Sequence, residues 1–253
     1  MAKKNPGYHC TNCDYRPPKW LGCCPACGEW NSITALQKNN IQSHHGNFVS
    51  HNSVAQLNLL SDVSITPKAR MKSGIDEWDR VMGGGIVPGS FIIVTGDPGI
   101  GKSTLLLRVA HNLGENKKII YFSSEESLQQ VKERATRLDC IKNPILFSDA
   151  VYLEIIAENC AIERPDIIIV DSVQNCYSQD TQLIPGTVAQ LREAAFKLLR
   201  IAKEQDIAII ATGHITKEGT IAGPRLLEHM VDAVFYLQGD ERWQSRILRS
   251  VKN

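Results

Sequence analysis

From about Lys68 onward, short apolar runs alternate with longer stretches in which apolar residues return every three or four positions. The runs at 91–95, 118–122, 145–147, 166–171, 207–212 and 231–237 are nearly continuous in apolar character, the pattern of strands covered on both faces. The stretches 102–113, 126–138, 151–163 and 187–204 have helical length. In the last of them Val188, Leu191, Ala195, Leu198 and Ala202 recur at helical spacing and mark one buried face. Alternation of this kind predicts an α/β fold, a mostly parallel sheet with helices on both faces. Before residue 67 the pattern is different. Residues 8–34 are a compact Cys-, Pro- and Trp-rich unit, and 37–66 are rich in Asn, Ser and His with little periodicity. The expected organisation is a small ribbon over 1–36, a linker over 37–66 and a large α/β domain over 67–253, with no internal repeat.

Composition narrows the picture only slightly. A chain of 253 residues holds one large domain and a small appendage, and 43% hydrophobic with 22% charged residues is ordinary for a soluble globular protein. The formal net charge of +1 rules out a global basic field, so nucleic-acid contact must come from local patches such as Lys3, Lys4, Arg16, Lys19 and Lys38. The N-terminus is basic but lacks the apolar core of a secretory signal, and no apolar run approaches a membrane span. The expected compartment is the cytoplasm, with no membrane partner. Five of the eight cysteines fall between Cys10 and Cys27, which in such a chain favours a metal site over disulfides. Cys140, Cys160 and Cys176 stand singly in apolar or helical contexts and read as small buried hydrophobes. His44, His45 and His51 read as part of the solvated linker rather than as ligands.

The densest chemistry lies in Gly96-Asp97-Pro98-Gly99-Ile100-Gly101-Lys102-Ser103-Thr104, which matches G-x-x-x-x-G-K-[ST] in full. An apolar run precedes it and a helical stretch follows, the context a phosphate-binding loop requires. Gly96, Gly99 and Gly101 let the backbone curl so that its N–H groups face phosphate oxygens, reinforced by the helix N-terminus. Lys102 is expected to reach the β- and γ-phosphates of ATP, and the Ser103 hydroxyl to ligate Mg²⁺. Asp171 closes the run that begins at Asp166, where the C-terminal edge of a parallel sheet receives its ligands. There it is expected to hold Mg²⁺ through water; a helix-capping Asp is the plainer alternative. Glu125 and Glu126 follow another strand, and one of them, Glu125 preferred, is expected to polarise the attacking water. The plainer reading is an acidic first turn of the next helix.

Cys10-x₂-Cys13 and Cys24-x₂-Cys27 form two knuckles ten residues apart, and four thiolates suit tetrahedral Zn²⁺. Cys23 in place of Cys24 breaks the spacing, and a redox dithiol is the non-metal alternative. Arg16, Lys19, Trp20 and Trp30 either contact single-stranded nucleic acid or seal the ribbon.

Together these segments resemble the bacterial RadA (Sms) family of DNA-repair proteins. The resemblance rests on Cys10-x₂-Cys13 … Lys19-Trp20-x-Gly22-x-Cys24-Pro25-x-Cys27-x-x-Trp30 and on Gly74-Ile75-Asp76-Glu77 through Gly89-Ser90, leading into the phosphate loop. It also rests on Ser124-Glu125-Glu126-Ser127 and on Gly213-His214-Ile215-Thr216-Lys217-Glu218-Gly219, continued to Asp232. It implies a RecA-like ATPase core behind a four-cysteine zinc ribbon. It further implies a DNA-dependent motor for branch migration, working on single-stranded and branched DNA beside the RecA recombinase and assembled as a homo-hexamer. Carried over by position, His214 is a γ-phosphate sensor, and Thr216 with Lys217 begins a DNA-responsive loop, against the plainer reading of a polar surface turn. The family continues through a Lys-Asn-Arg-Phe-Gly motif into a Lon-protease-like domain. This sequence holds only Lys252 and Asn253 of that motif, so the chain reads as truncated, and Lys252 is expected to fray. Two other functions fit the residues: a RecA-like signalling ATPase acting on proteins, and a non-catalytic nucleotide- and zinc-binding remnant.

Overall fold

A computed structural model describes residues 8–10, 17, 19, 21–25, 27–28, 30, 32–35, 59–62, 68–181, 183, 187–214, 227–240 and 245–253. The chain separates into two compact units, Met1–Leu57 and Asn58–Asn253. In the first, strands β1 (Tyr8–Cys10) and β2 (Ile33–Ala35) pair antiparallel, with Cys10 opposite Ile33. Cys10, Cys24 and Ile33 form its buried cluster, with Tyr8 and Leu21 packed against them. A unit this small usually needs a bound ion beside its apolar groups to hold its fold.

The second unit runs α1 (Asp76–Val81), β3 (Phe91–Gly96), α2 (Lys102–Leu113), β4 (Ile119–Ser123), α3 (Leu128–Arg137), β5 (Leu146–Ser148), α4 (Leu153–Glu163), β6 (Ile167–Asp171), α5 (Val188–Gln205), β7 (Ala208–His214), β8 (Ala233–Asp240) and β9 (Ser245–Lys252). Seven strands make one sheet in the order β5-β4-β6-β7-β3-β8-β9, all parallel except β9, which runs antiparallel to β8. Side chains alternate across it as the pleat demands. Phe91, Ile93, Ile120, Phe122, Ile168, Val170, Ile209 and Ala211 point to the face covered by α4 and α5. Ile92, Val94, Ile119, Tyr121, Ile167, Ile169, Ala208 and Ile210 point to the face covered by α1, α2 and α3. The expected α/β architecture with helices on both faces is the one observed, because strands buried on both sides cannot carry a polar face. Among the described residues no helix is long and apolar enough to cross a membrane.

Two elements were not expected. Helix α1 has six residues, too few to establish a period. Strand β9 carries Arg246, Arg249 and Lys252 among Ile247, Leu248 and Val251 and is exposed along most of its length, as an edge strand is. It also corrects the expectation that Lys252 frays. That residue ends β9, and its ammonium donates to the carbonyls of Glu228 (2.8 Å) and Val231 (2.6 Å), while the Asn253 amide donates to Val81 O at 3.1 Å.

Candidate functional site

Strand β3 lies inside the sheet, between β7 and β8, and delivers its C-terminal end into the glycine-rich loop. Two glycines there are sterically required. A Cβ on Gly96 would lie 2.2 Å from the carbonyl oxygen of Leu237 on β8, and Gly101 takes φ 107° at the N-cap of α2, a conformation that side chains disfavour. Lys102, in the first turn of α2, is buried, and its ammonium donates to the carbonyls of Gly96 and Asp97, both at 3.0 Å. Burial pushes its pKa down, while the charges of Asp171, Glu125 and Asp97 push it up; the net direction is down. Because β3, β7, β6 and β4 are parallel, Lys102 and Asp97 after β3, Asp171 at the end of β6 and Glu125 after β4 all lie at the C-terminal edge of the sheet.

Asp171 ends β6, between β4 and β7, and is 3% exposed. Tyr121 from β4 donates its hydroxyl to Oδ2 at 2.7 Å, and Thr212 from β7 donates to Oδ1 at 2.6 Å. The Asp171–Ser172 peptide is cis. Ser172 donates its hydroxyl to Glu125 Oε1 at 2.6 Å, and its backbone N–H donates to the Ser124 hydroxyl at 3.0 Å, tying the end of β4 to the end of β6. Glu126 instead pairs with Arg134 of α3. Ser103 follows Lys102 on α2 and is half-buried. A hydroxyl and a carboxylate are hard oxygen donors, the chemistry Mg²⁺ prefers. His214 is the last residue of β7, in register with Gly96, so its backbone borders the phosphate loop.

Arg246, on the unexpected strand β9, lies over the loop: its guanidinium is 3.2 Å from where a Cβ on Gly101 would stand. With Trp78, Thr104 and Arg108 it lines a groove beside the loop. Tyr121, Thr212 and Arg246 had no motif to mark them. For Tyr121 and Thr212 the one signal in the sequence is a hydroxyl inside an otherwise apolar strand.

In the first unit the sulfurs of Cys10, Cys24 and Cys27 lie within 4.8 Å of one another, and Cys10 and Cys27 are 3.7 Å apart. Tetrahedral coordination with Zn–S bonds of about 2.3 Å puts sulfurs about 3.8 Å apart, so the spacing fits that ion. Cys23 turns aside, its Sγ 3.3 Å from Gly28 O. Cys13, Thr216 and Lys217 lie outside the described residues, as do Arg16, Trp20 and the three linker histidines. Burial pushes the thiols of Cys160 and Cys176 up to about 12, which suits structural packing and no reactive role. The ends Lys252 and Asn253 face the segment 228–231 and α1 through the bonds described above, away from the phosphate loop.

Comparison with known proteins finds the same two kinds of domain in the same order. An AAA domain model matches residues 57–220 and a rubredoxin metal binding domain model matches 8–35. DNA repair protein RadA of Listeria monocytogenes is 44% identical over 254 residues, covering 100% of this chain and 55% of the relative. The RadA proteins of Helicobacter pylori J99 and Bacillus subtilis are 43% and 42% identical, again across 100% of this chain and covering 57% and 56% of theirs. The chain thus spans about half the length of the curated relatives it matches. Among solved structures, one described as an ATPase domain aligns with TM-score 0.60 over 73% of this chain and 84% of that one, at 17% identity, a likeness of fold alone.

Proposed function

The chain belongs to the AAA domain family and is similar over its whole length to bacterial DNA repair proteins RadA, and on that premise we propose that it is a Mg²⁺-dependent ATPase that works on DNA in recombinational repair. The observation that carries the reading is that parallel strands bring Lys102, Asp171 and Glu125 to one edge of the sheet, beside a loop whose glycines open its backbone to phosphate.

Each residue of the site has a part in that reaction. Backbone N–H groups of Gly96–Thr104 and the start of α2 bind the phosphates, and Lys102 exchanges its carbonyl partners for β- and γ-phosphate oxygens. Its lowered pKa reflects burial, and the surrounding carboxylates help keep it charged. Ser103 and Asp171 would hold Mg²⁺, which supplies charge neutralisation on the phosphates when bound. Glu125 orients and polarises the attacking water, held toward the site by the Ser172 hydroxyl. His214, level with Gly96, reports the γ-phosphate to the segment that carries Thr216 and Lys217, which responds to DNA. Cys10, Cys13, Cys24 and Cys27 would hold one Zn²⁺ that orders the N-terminal ribbon, joined by the linker 37–66 to the ATPase domain 67–253. Single-stranded and branched DNA, the RecA recombinase and a homo-hexameric, cytoplasmic assembly acting in branch migration complete the proposal. Of these, the relatives' name as DNA repair proteins supports the action on DNA.

The test is the ATPase rate with and without single-stranded DNA, on this chain and on one extended past Asn253. Stimulation by DNA in either supports the motor. ATP turnover indifferent to DNA in both refutes it and favours a protein-directed ATPase, and absence of turnover in both leaves a nucleotide-binding remnant.

A further inference from the structure

Asp171 is a buried carboxylate whose two oxygens are each taken by a neutral hydroxyl from the strand on either side. Tyr121 reaches Oδ2 from β4 and Thr212 reaches Oδ1 from β7, at 2.7 and 2.6 Å. Asp171, Tyr121 and Thr212 are almost fully buried, at 3%, 1% and 0% exposure. The tyrosine ring is itself fixed, stacked on Phe147 with centroids 6.5 Å apart and planes 12° from parallel.

We propose that Tyr121 and Thr212 are positioning residues that set the orientation of the Asp171 carboxylate toward Mg²⁺. The inference rests on Asp171 as the Mg²⁺-side carboxylate. An ionised carboxylate has about four acceptor sites, and two hydroxyls at opposite oxygens pin its plane while leaving the remaining lone pairs free for the cation's side. Satisfying a buried acid would by itself call for any donor. The donors found here are neutral. Among the described residues Asp171 forms no ion pair, and Lys102 directs its ammonium to the carbonyls of Gly96 and Asp97. A hydroxyl donor orients the acid without setting a cation against it, so the oxygens' other lone pairs stay open to a divalent cation. A pair of hydroxyls from two flanking strands is also stiffer than one long cationic side chain, because each rides on a backbone held by its ladder.

The experiment measures equilibrium affinity for a fluorescent non-hydrolysable ATP analogue, with Mg²⁺ and in EDTA, for wild type, Tyr121→Phe, Thr212→Val, Thr212→Ser and Asp171→Asn. Tyr121→Phe and Thr212→Val are expected to bind in EDTA as wild type does, while the Mg²⁺ needed for half-maximal enhancement rises roughly tenfold, the lower end of what losing a ligand's supporting hydrogen bond does. Thr212→Ser, which keeps the hydroxyl, stays near wild type. A merely structural role would lower the melting temperature and both affinities together, leaving the Mg²⁺ requirement unmoved, and that result overturns the proposal. If Thr212→Val fails to fold, Tyr121→Phe, which removes one atom, decides alone. Should Asp171→Asn retain the full Mg²⁺ enhancement, the underlying reading of Asp171 fails and this inference with it. Loss of enhancement in Asp171→Asn with a normal Mg²⁺ requirement in both hydroxyl variants defeats the positioning role only.

Discussion

Glu125 and Glu126 leave the same strand, yet their carboxylates have different company. Glu126 is drawn back to Arg134 of α3, and its backbone N–H donates to the Ser123 hydroxyl at 3.1 Å, so it belongs to the start of its own helix. Glu125 leans across to Ser172, immediately after Asp171, and contributes to the field at Lys102. The two are therefore expected to separate in function. Glu125→Gln should leave nucleotide affinity near wild type and lower kcat by at least ~100-fold, whereas Glu126→Gln should change kcat little and reduce stability through the orphaned Arg134. Single-turnover ATP hydrolysis and thermal melting on both variants check this; equal turnover by Glu125→Gln and wild type would remove Glu125 from the mechanism.

At the scale of elements, the site depends on what fixes its helices and loops. Helix α3 starts with a capping box, in which Ser127 and Gln130 satisfy each other's backbone N–H groups, so the turn carrying both glutamates leads into a defined start. On the opposite face Lys197 of α5 reaches Glu154 of α4 at 2.5 Å and the Ser178 hydroxyl at 2.6 Å, binding two helices and the loop after the Val173–Asn175 turn. Burial alone would raise the Glu154 pKa, but hydrogen bonds from Lys197, Ser178 and the Gln179 backbone outweigh it and hold the carboxyl at about 2. A depressed folded pKa stabilises the fold fully above the ordinary value of 4.5, and the contribution is lost as pH falls toward about 2. After allowance for solvent screening it is on the order of 1–2 kcal/mol. Urea denaturation of wild type and Glu154→Gln should differ by roughly that much at neutral pH and converge as pH falls from the ordinary 4.5 toward about 2. A gap that persists unchanged at the acid end would show that the pair contributes through packing instead.

At the scale of the molecule, the described residues of the first unit hold a small apolar cluster of Cys10, Cys24 and Ile33, and those of the second two large clusters on either side of the sheet. The small one depends on its cysteines. Purified protein is expected to carry about one Zn²⁺, and a strong chelator should unfold the ribbon while the α/β unit keeps its own melting transition and its affinity for nucleotide. Metal analysis together with calorimetry of both states tests this, and a metal content under about half an equivalent after anaerobic purification counts against the ion.

The sheet strands and long helices were legible in the amino-acid order because burial on both faces writes itself as an unbroken apolar run and burial on one helix face as a 3.6-residue period. The phosphate loop was legible for a related reason: glycine must stand where Gly96 meets Leu237 O and where Gly101 turns left-handed, and no other residue fits there without strain. Edge strand β9 was not, since an edge needs no apolar continuity and its charged residues break the apolar pattern. Nor were the companions of Asp171. Tyr121, Asp171 and Thr212 meet across 50 and 41 residues of chain, and only the register of β4, β6 and β7 turns two ordinary hydroxyls toward one carboxylate. Local sequence dictated which segments form and where phosphate can be gripped. The partners that orient the acids were decided by strand pairing, because a hydrogen bond between strands depends on an alignment that neither strand contains alone.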